Sequence, residues 1–224
     1  KMEWRLIRTL RPQRYDMVLN LADQWPSAII TKLTGAAIRI GFDFPKRRHP
    51  AWRFCHTALA STERHNQLHT VQQNLSILAP LGLDIADAPA TMGYSEQDWR
   101  ASRALLPAGF QDNYIVIQPT SRWFFKCWRE GRMSALINAL SEAGYPVVLT
   151  SGPDAREKQM IDTIMAGCPN ARLHSLAGLL TLRQLASVID HARLFIGVDS
   201  VPMHMAAALG TPLVALFGPS KLTF

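Results

Sequence analysis

The chain has 224 residues, of which 48% are hydrophobic and 18% charged, which is enough material for one large or two small globular domains. No apolar run approaches the length of a membrane-spanning helix and no signal-peptide pattern opens the chain, which argues against membrane-spanning and secreted classes. The formal net charge of +7 lies in residues 1–65, which hold 12 Lys and Arg against 5 Asp and Glu. This surplus favours an acidic partner (a phosphorylated glycolipid, an anionic membrane surface or a nucleic acid) or forms a solvated basic face.

The first half of the chain alternates between predicted helices and strands. These elements cover residues 4–10, 15–21, 25–33 and 37–41. Residues 43–50 form a polar loop with three consecutive cations, and apolar residues at helical spacing predict a helix over 69–81. The irregular stretch 84–92 reads as the approach to a linker. We therefore predict one domain over residues 1–92 and a second over 93–224.

The second half shows a more regular alternation, which begins with a capping box at Ser95. Predicted strands cover residues 114–118, 146–150, 172–176, 194–198 and 213–217. Predicted helices cover residues 129–143, 154–166, 181–192 and 202–209. Right-handed crossovers make such strands parallel, so their carboxyl ends share the edge at which sheets of this kind bind ligands. The sequence therefore predicts an α/β fold with doubly wound parallel sheets.

The most specific pattern in the chain lies in residues 194–220. It predicts a strand, a tight turn, a helix and a second strand, with Asp199, Ser200 and His204 at the start of the helix. Asp199 and Ser200 are predicted to cap this helix, and Pro202 falls in its first turn. A helix N-terminus with such side chains suits an anion such as a diphosphate.

The chain resembles the ADP-heptose:lipopolysaccharide heptosyltransferases, glycosyltransferase family 9, in the order Asp199-Ser-Val-Pro-Met-His204, Ala-Ala-Ala-Leu-Gly-Thr-Pro and Phe217-Gly-Pro-Ser220. The resemblance implies a GT-B arrangement of two Rossmann-like doubly wound parallel-sheet domains, with the nucleotide on the C-terminal one. It implies an inverting transfer of heptose from ADP-heptose to a heptose of the lipopolysaccharide inner core, without a metal or other cofactor. Residues 118–128 and 19–25 look most like the third, branch-heptose members of the family.

The resemblance also assigns roles to individual residues. Lys126 and Asp199 are the candidate catalytic residues, and Lys126 would neutralise the departing diphosphate. The predicted donor-binding residues are Thr120, Ser121, Lys126, Gly152, Glu157, Leu180, Asp199, Ser200, Met203 and His204. Either Asp154 or Glu157 would hold the ribose, and Leu180 would line the adenine pocket. Each residue also has a purely structural interpretation, such as a helix cap, a surface lysine or a core leucine.

The acceptor and the location of the protein follow from charge and from the resemblance. Lys46, Arg47 and Arg48 are the candidate contacts for the phosphorylated lipopolysaccharide core, although a loop of consecutive cations is usually only solvated. We expect a cytoplasmic protein that associates peripherally with the anionic cytoplasmic face of the inner membrane. Its cysteines are isolated and are predicted to be reduced thiols. The remaining histidines lack metal-ligand spacing, so no metal site is predicted.

Two other function classes are alternatives to heptosyl transfer. Chains of this family begin with a strand and a Gly-Asp turn that carries the candidate base, and no such segment is found in the sequence. We therefore expect an internal piece, truncated at both ends, and a sugar-nucleotide-binding module without catalytic activity is the alternative. Nucleic-acid binding through residues 1–65 lacks any recognisable motif, so no nucleic-acid partner is predicted.

Overall fold

The computed structural model describes residues 2–83, 88–110 and 113–218, and the chain divides into two compact units. Unit 1 extends to Ala88 and unit 2 begins at Pro89. Residues 84–87 of the predicted linker and residues 219–220 of the family signature lie outside the described residues. Among the described residues, no helix combines the length and the apolar character that crossing a bilayer requires.

Unit 1 contains a three-stranded parallel sheet in the order β1-β2-β3. Its strands are β1 (Met17–Asn20), β2 (Ile38–Asp43) and β3 (Ala58–Ser61). Its helices are α1 (Met2–Leu10), α2 (Trp25–Leu33), α3 (Pro50–Cys55) and α4 (Thr70–Leu75). The sequence did not predict β3 or α3, which are only four and six residues long. The helix predicted over 69–81 is split, because Pro80 lies in a 3₁₀ segment, Ser76–Leu81, that follows α4.

A buried polar contact joins the end of β1 to the residue that follows α3 in unit 1. The side chain of Asn20, at the end of β1, lies 3.2 Å from Nε2 of His56, whose Nδ1 is 2.8 Å from the carbonyl oxygen of Trp52. The neighbouring residue on β2 is Gly41, where a Cβ atom would lie 2.6 Å from Nε2 of His56. Glycine is therefore needed at this position so that the buried imidazole can reach Asn20.

Unit 2 contains a five-stranded parallel sheet in the order β6-β5-β4-β7-β8. Its strands are β4 (Ile115–Gln118), β5 (Val147–Leu149), β6 (Leu173–Ser175), β7 (Leu194–Val198) and β8 (Leu213–Leu216). Its helices are α5 (Glu96–Arg103), α6 (Glu130–Glu142), α7 (Ala155–Ala166), α8 (Leu182–Asp190) and α9 (Val201–Leu209). Each of the five predicted strands is present within one or two residues of its predicted bounds.

The strand order of unit 2 places the functional edge of the sheet. After β4 the chain adds β5 and β6 on one side, and it then returns to add β7 and β8 on the other side. A crevice forms where the order reverses, outside the carboxyl ends of β4 and β7. All four residues of β4 are buried, because one hydrophobic cluster covers each face of the sheet. The residues that follow β4 and β7 are therefore held on a rigid support.

Candidate functional site

A cleft of about 670 Å³ lies at the carboxyl edge of the unit 2 sheet. Its lining comes from the segments that follow β4, β5, β6 and β7, together with the first turns of α8 and α9. This volume is within the usual range for small-molecule and cofactor sites. Nine of the ten predicted donor-binding residues line the cleft, and the exception is Met203. The parallel topology therefore brings together residues that are up to 84 positions apart in the sequence.

An ion pair between Lys126 and Asp199 crosses the floor of the cleft. Lys126 ends a 3₁₀ turn after β4, Asp199 directly follows β7, and Nζ donates to Oδ2 at 2.6 Å. Their side chains are 22% and 19% exposed, so the pair is partly shielded from water and still open to the cleft. Nε2 of His204 lies 4.0 Å from the other oxygen of Asp199. The three predicted ionic residues thus form one cluster.

The N-terminus of α9 opens into the same cleft without the predicted side-chain cap. Ser200 occupies the N-cap position, but within the described chain its hydroxyl donates to the carbonyl of Val198 at 3.1 Å and caps no amide. The carboxylate of Asp199 pairs with Lys126, and the prediction that the Ser200 side chain caps α9 is wrong. A helix of nine residues with its N-terminus at a cleft gives a region of positive potential that favours a bound anion.

A chain of buried hydrogen bonds fixes the carboxylate of Glu157 at the edge of the cleft. Thr150 donates to Oε1 of Gln118 at 2.7 Å, and Nε2 of Gln118 donates to the hydroxyl of Thr120 at 2.8 Å. Thr120 in turn donates to Oε2 of Glu157 at 2.6 Å, and the amide of Gly152 donates to the same oxygen at 3.1 Å. Two donors therefore hold Oε2, which fixes the orientation of the carboxylate.

This arrangement defines the contacts of three residues. Thr120, which was predicted to bind phosphate, is fully buried, and its hydroxyl donates to Glu157. Asp154 caps α7 by accepting from the amide of Arg156, and it does not line the cleft. Of the two acids considered for the ribose, only Glu157 lies in the cleft. Gln118 was given no role from the sequence, although a glutamine that ends a fully buried strand requires hydrogen-bond partners.

The loop after β4 contains Ser121, which lines the cleft, and Cys127, which does not. The hydroxyl of Ser121 accepts from the amide of Trp123 at 3.3 Å and donates to the carbonyl of Asp199 at 3.5 Å. Ser121 is nearly buried and ties the loop to the end of β7. Burial raises the pKa of the Cys127 thiol, whose sulfur lies 4.0 Å from the carbonyl oxygen of Ser121. A raised pKa keeps this thiol protonated and unreactive at neutral pH.

Three leucines at the start of α8 give the cleft an apolar wall. It consists of Leu180, Leu182 and Leu185, and Thr181 caps the helix between them in a capping box with Gln184. Sequence analysis identified Leu180 but missed Leu182 and Leu185. Met203 is not part of the cleft. Its side chain is buried and belongs to the hydrophobic cluster that α9 covers.

The cations predicted to contact the acceptor lie in unit 1 and mostly have internal partners. Lys46 forms an ion pair with Asp23, and this ammonium group lowers the pKa of the Asp23 carboxyl. Nε of Arg47 donates to the carbonyl of Asp23 at 2.6 Å, and its guanidinium lies 5.9 Å from the ring of Trp25. Arg48 is exposed. The loop is therefore a structured 3₁₀ turn, and only Arg48 of the three resembles the solvated cation that the sequence suggests.

The described side chains offer no cluster with the composition of a metal site. Within residues 2–83, 88–110 and 113–218, no three His, Cys, Asp or Glu side chains are placed to share a metal ion. In the cleft, positive charge comes from the side chains of Lys126 and Arg122 and from the N-terminus of α9.

Comparison with known proteins gives consistent relatives. Glycosyltransferase family 9 (heptosyltransferase) matches residues 3–224. Lipopolysaccharide heptosyltransferase 3 of Escherichia coli is 45% identical over 220 residues, which cover 98% of this chain and 64% of that protein. The glycosyl transferase family 9 structure from Veillonella parvula has a TM-score of 0.83 at 21% identity, over 98% of this chain and 62% of that chain. E. coli heptosyltransferase WaaC with ADP-2-deoxy-2-fluoro heptose has a TM-score of 0.72 at 22% identity, over 100% of this chain and 68% of that chain.

These similarities confirm the predicted fold class and the predicted resemblance. The chain spans about 64% of the length of the curated relative that it matches at 45% identity. Because the family match covers residues 3–224 and the high-identity relatives carry the heptosyltransferase 3 name, the chain belongs to glycosyltransferase family 9, the heptosyltransferases.

Proposed function

We propose that the whole protein transfers heptose from ADP-heptose to a heptose of the lipopolysaccharide inner core, and that the unit 2 cleft binds the donor. The relatives at 43% and 45% identity are lipopolysaccharide heptosyltransferases 3, and a structural relative was solved with an ADP-heptose analogue. The observation that carries the proposal is the convergence of Lys126, the N-terminus of α9, Glu157 and a leucine wall in one cleft. Each matches one part of a nucleoside diphosphate sugar.

The order of the strands suggests how ADP lies in the cleft. The leucine wall follows β6, Glu157 follows β5, and the Lys126–Asp199 pair bridges the ends of β4 and β7. Adjacent strands lie about 4.8 Å apart, so these three positions form a line along the sheet edge. In this line adenine packs on the leucines, the ribose hydroxyls donate to Glu157, and the diphosphate lies between Lys126 and α9. The sugar then projects from the end of the cleft near Asp199 and His204.

The residues of the cleft would act mainly on the leaving group. In an inverting transfer the acceptor oxygen attacks the anomeric carbon, the bond from that carbon to the diphosphate oxygen breaks, and ADP leaves with the added negative charge. Lys126 and the amides of α9 stabilise that charge as it develops. Loss of one such donor typically costs about 3–4 kcal/mol, or roughly 10²–10³ in rate. The family resemblance assigns the base that takes the acceptor proton to a Gly-Asp turn that is not found in this sequence.

The proposal extends to cofactor, acceptor and location. We expect transfer to continue in excess EDTA, because Lys126 and α9 supply positive charge at the diphosphate. The acceptor is the phosphorylated inner core, at the branch position to which the heptosyltransferase 3 resemblance points. The protein would work in the cytoplasm, at the anionic surface of the inner membrane. Arg48 remains the candidate acceptor contact in the basic loop of unit 1, because Lys46 and Arg47 are engaged with Asp23.

A transfer assay on the full-length protein tests this function. The Lys126→Ala variant is expected to lower the transfer rate by roughly 10²–10³. Lys158→Ala is the matched control, because Lys158 is an exposed lysine of α7 that does not line the cleft. Equal transfer by the Lys126→Ala variant and the wild type would contradict the proposed role. ADP binding without any transfer by the wild type would instead support a non-catalytic sugar-nucleotide-binding module.

A further inference from the structure

The loop between β4 and α6 exposes an aromatic pair that the proposed donor site does not use. Trp123 and Phe125 are 59% and 62% exposed, and their ring centroids lie 6.2 Å apart with the planes tilted by 41°. Trp123 lines the cleft. Two large exposed rings forgo the stabilisation that burial would give, and adjoining apolar surface of this kind marks a binding site.

The aromatic pair is held by a rigid turn. The amide of Trp123 donates to Ser121, and its carbonyl accepts from the amide of Lys126 at 2.9 Å. Phe124, between the two exposed rings, packs on the hydrophobic core and lies under the guanidinium of Arg156 at 3.8 Å. A half-buried anchor between two exposed rings restricts both of them, so little conformational entropy is lost when a ligand packs on them.

A cation, Arg122, directly precedes the aromatic pair in the sequence. Arg122 is exposed and lines the cleft, and among the described residues its side chain has neither a hydrogen bond nor an ion pair. In contrast, the charge of Lys126 is directed to Asp199. An unpaired guanidinium is well suited to a phosphate group, which it binds through two parallel hydrogen bonds. The loop therefore combines an apolar surface with an anion-binding group.

We propose that Arg122, Trp123 and Phe125 form an acceptor subsite in addition to the Arg48 contact, and that this subsite binds a phosphorylated saccharide. One face of a sugar ring carries C–H groups and packs on the Trp123 indole, while a phosphate on the same or the next sugar pairs with Arg122. The loop follows β4, so the subsite lies at the diphosphate end of the line of strands and away from the leucine wall that follows β6. This inference rests on the proposed function, because it concerns the second substrate of the same reaction.

The test measures transfer by the full-length protein at varied concentrations of the phosphorylated core acceptor and of ADP-heptose. Trp123→Ala is expected to lower kcat/KM for the acceptor at least tenfold, with the ADP-heptose KM and ADP affinity unchanged. Trp123→Phe is expected to restore most of the loss. Trp128→Ala is the matched control, since Trp128 is an exposed tryptophan of the same loop that lies outside the cleft. Arg122→Ala is expected to lower kcat/KM for the phosphorylated acceptor and to leave kcat/KM for a dephosphorylated acceptor unchanged.

Several results would overturn the inference. Unchanged acceptor kinetics in both Trp123→Ala and Arg122→Ala, with a wild type that transfers heptose, would overturn the subsite and leave the proposed function intact. Unchanged acceptor kinetics with lost binding to phosphatidylglycerol vesicles would assign the loop to a membrane surface instead. An equal loss of ADP affinity would make Trp123 part of the donor site. A wild type that neither binds ADP nor transfers heptose would overturn the proposed function and the subsite together.

Discussion

Replacing Thr120 by valine removes one hydroxyl from the hydrogen-bond chain that positions Glu157. Valine keeps nearly the same shape, so the change tests the hydroxyl and creates no cavity. The lost bond to the Glu157 carboxylate is worth about 1.5–3 kcal/mol, since hydrogen bonds to charged groups are the stronger ones. The substitution also removes the hydroxyl that accepts from Nε2 of Gln118. This nitrogen keeps a 3.4 Å contact with the backbone carbonyl of residue 120, so the loss of that second hydrogen bond costs less than about 1 kcal/mol. We expect the free energy of unfolding of unit 2 to fall by about 2–4 kcal/mol in total.

Native-state hydrogen exchange of the β4 amides measures this loss in unit 2 separately from unit 1. Thr120→Ser is the control, because it retains the hydroxyl and is expected to stay within about 1 kcal/mol of the wild type. If Thr120 acts instead as a phosphate ligand, the valine variant will lose ADP affinity while its free energy of unfolding is unchanged. A change below about 0.5 kcal/mol in the valine variant would therefore refute the positioning role.

Three further predictions concern other polar contacts. Burial lowers the pKa of His56, so the free energy of unfolding of unit 1 should fall as the pH drops below about 6.5. Hydrogen exchange should show a smaller fall in the His56→Gln variant. The same dependence of this free energy on pH in the variant and the wild type would contradict the prediction. Gly41→Ala should cost about 1–3 kcal/mol in urea unfolding because the new methyl group meets His56, whereas Gly131→Ala, with open space around it, should be neutral or stabilising. Glu157→Gln should change the free energy of unfolding of unit 2 by no more than about 1 kcal/mol. It should weaken ADP binding roughly tenfold in titration calorimetry, because the amide NH₂ is a donor where the ribose hydroxyls also donate. An unchanged affinity would show that Glu157 does not bind the ribose.

The outline of unit 2 was predictable because each of its strands is a short apolar run followed by small or polar residues. Such runs are typical of parallel strands buried on both faces, and they fix the edge where ligand-binding residues collect. Unit 1 was less predictable. β3 is an Ala-Leu-Ala-Ser segment with weak strand propensity, and α3 is six residues long and begins at Pro50. Both are stabilised by tertiary packing, for example by Trp52 of α3, whose indole donates to the carbonyl of Phe42.

The detailed chemistry of the cleft was not predictable, because it depends on partners far apart in the chain. The direction of the Thr120 hydroxyl is set by Glu157, 37 residues further on, and that of Lys126 by Asp199, 73 residues further on. Similarly, Lys46 was predicted as a free cation, and its partner Asp23 lies on a different segment of unit 1. Sequence patterns identify which residues reach the strand ends, whereas side-chain hydrogen bonds decide which of them face the ligand.

We propose that the unit 2 cleft binds a nucleoside diphosphate through Lys126, and isothermal titration calorimetry of the full-length protein with ADP measures that binding. We predict saturable binding by the wild type and by the Lys158→Ala control, and an affinity at least tenfold lower in Lys126→Ala, which corresponds to about 1.4 kcal/mol or more. An affinity for ADP that is the same in Lys126→Ala and in the wild type would contradict the role of Lys126. A lack of saturable binding by a folded wild-type protein would contradict nucleotide binding in the cleft.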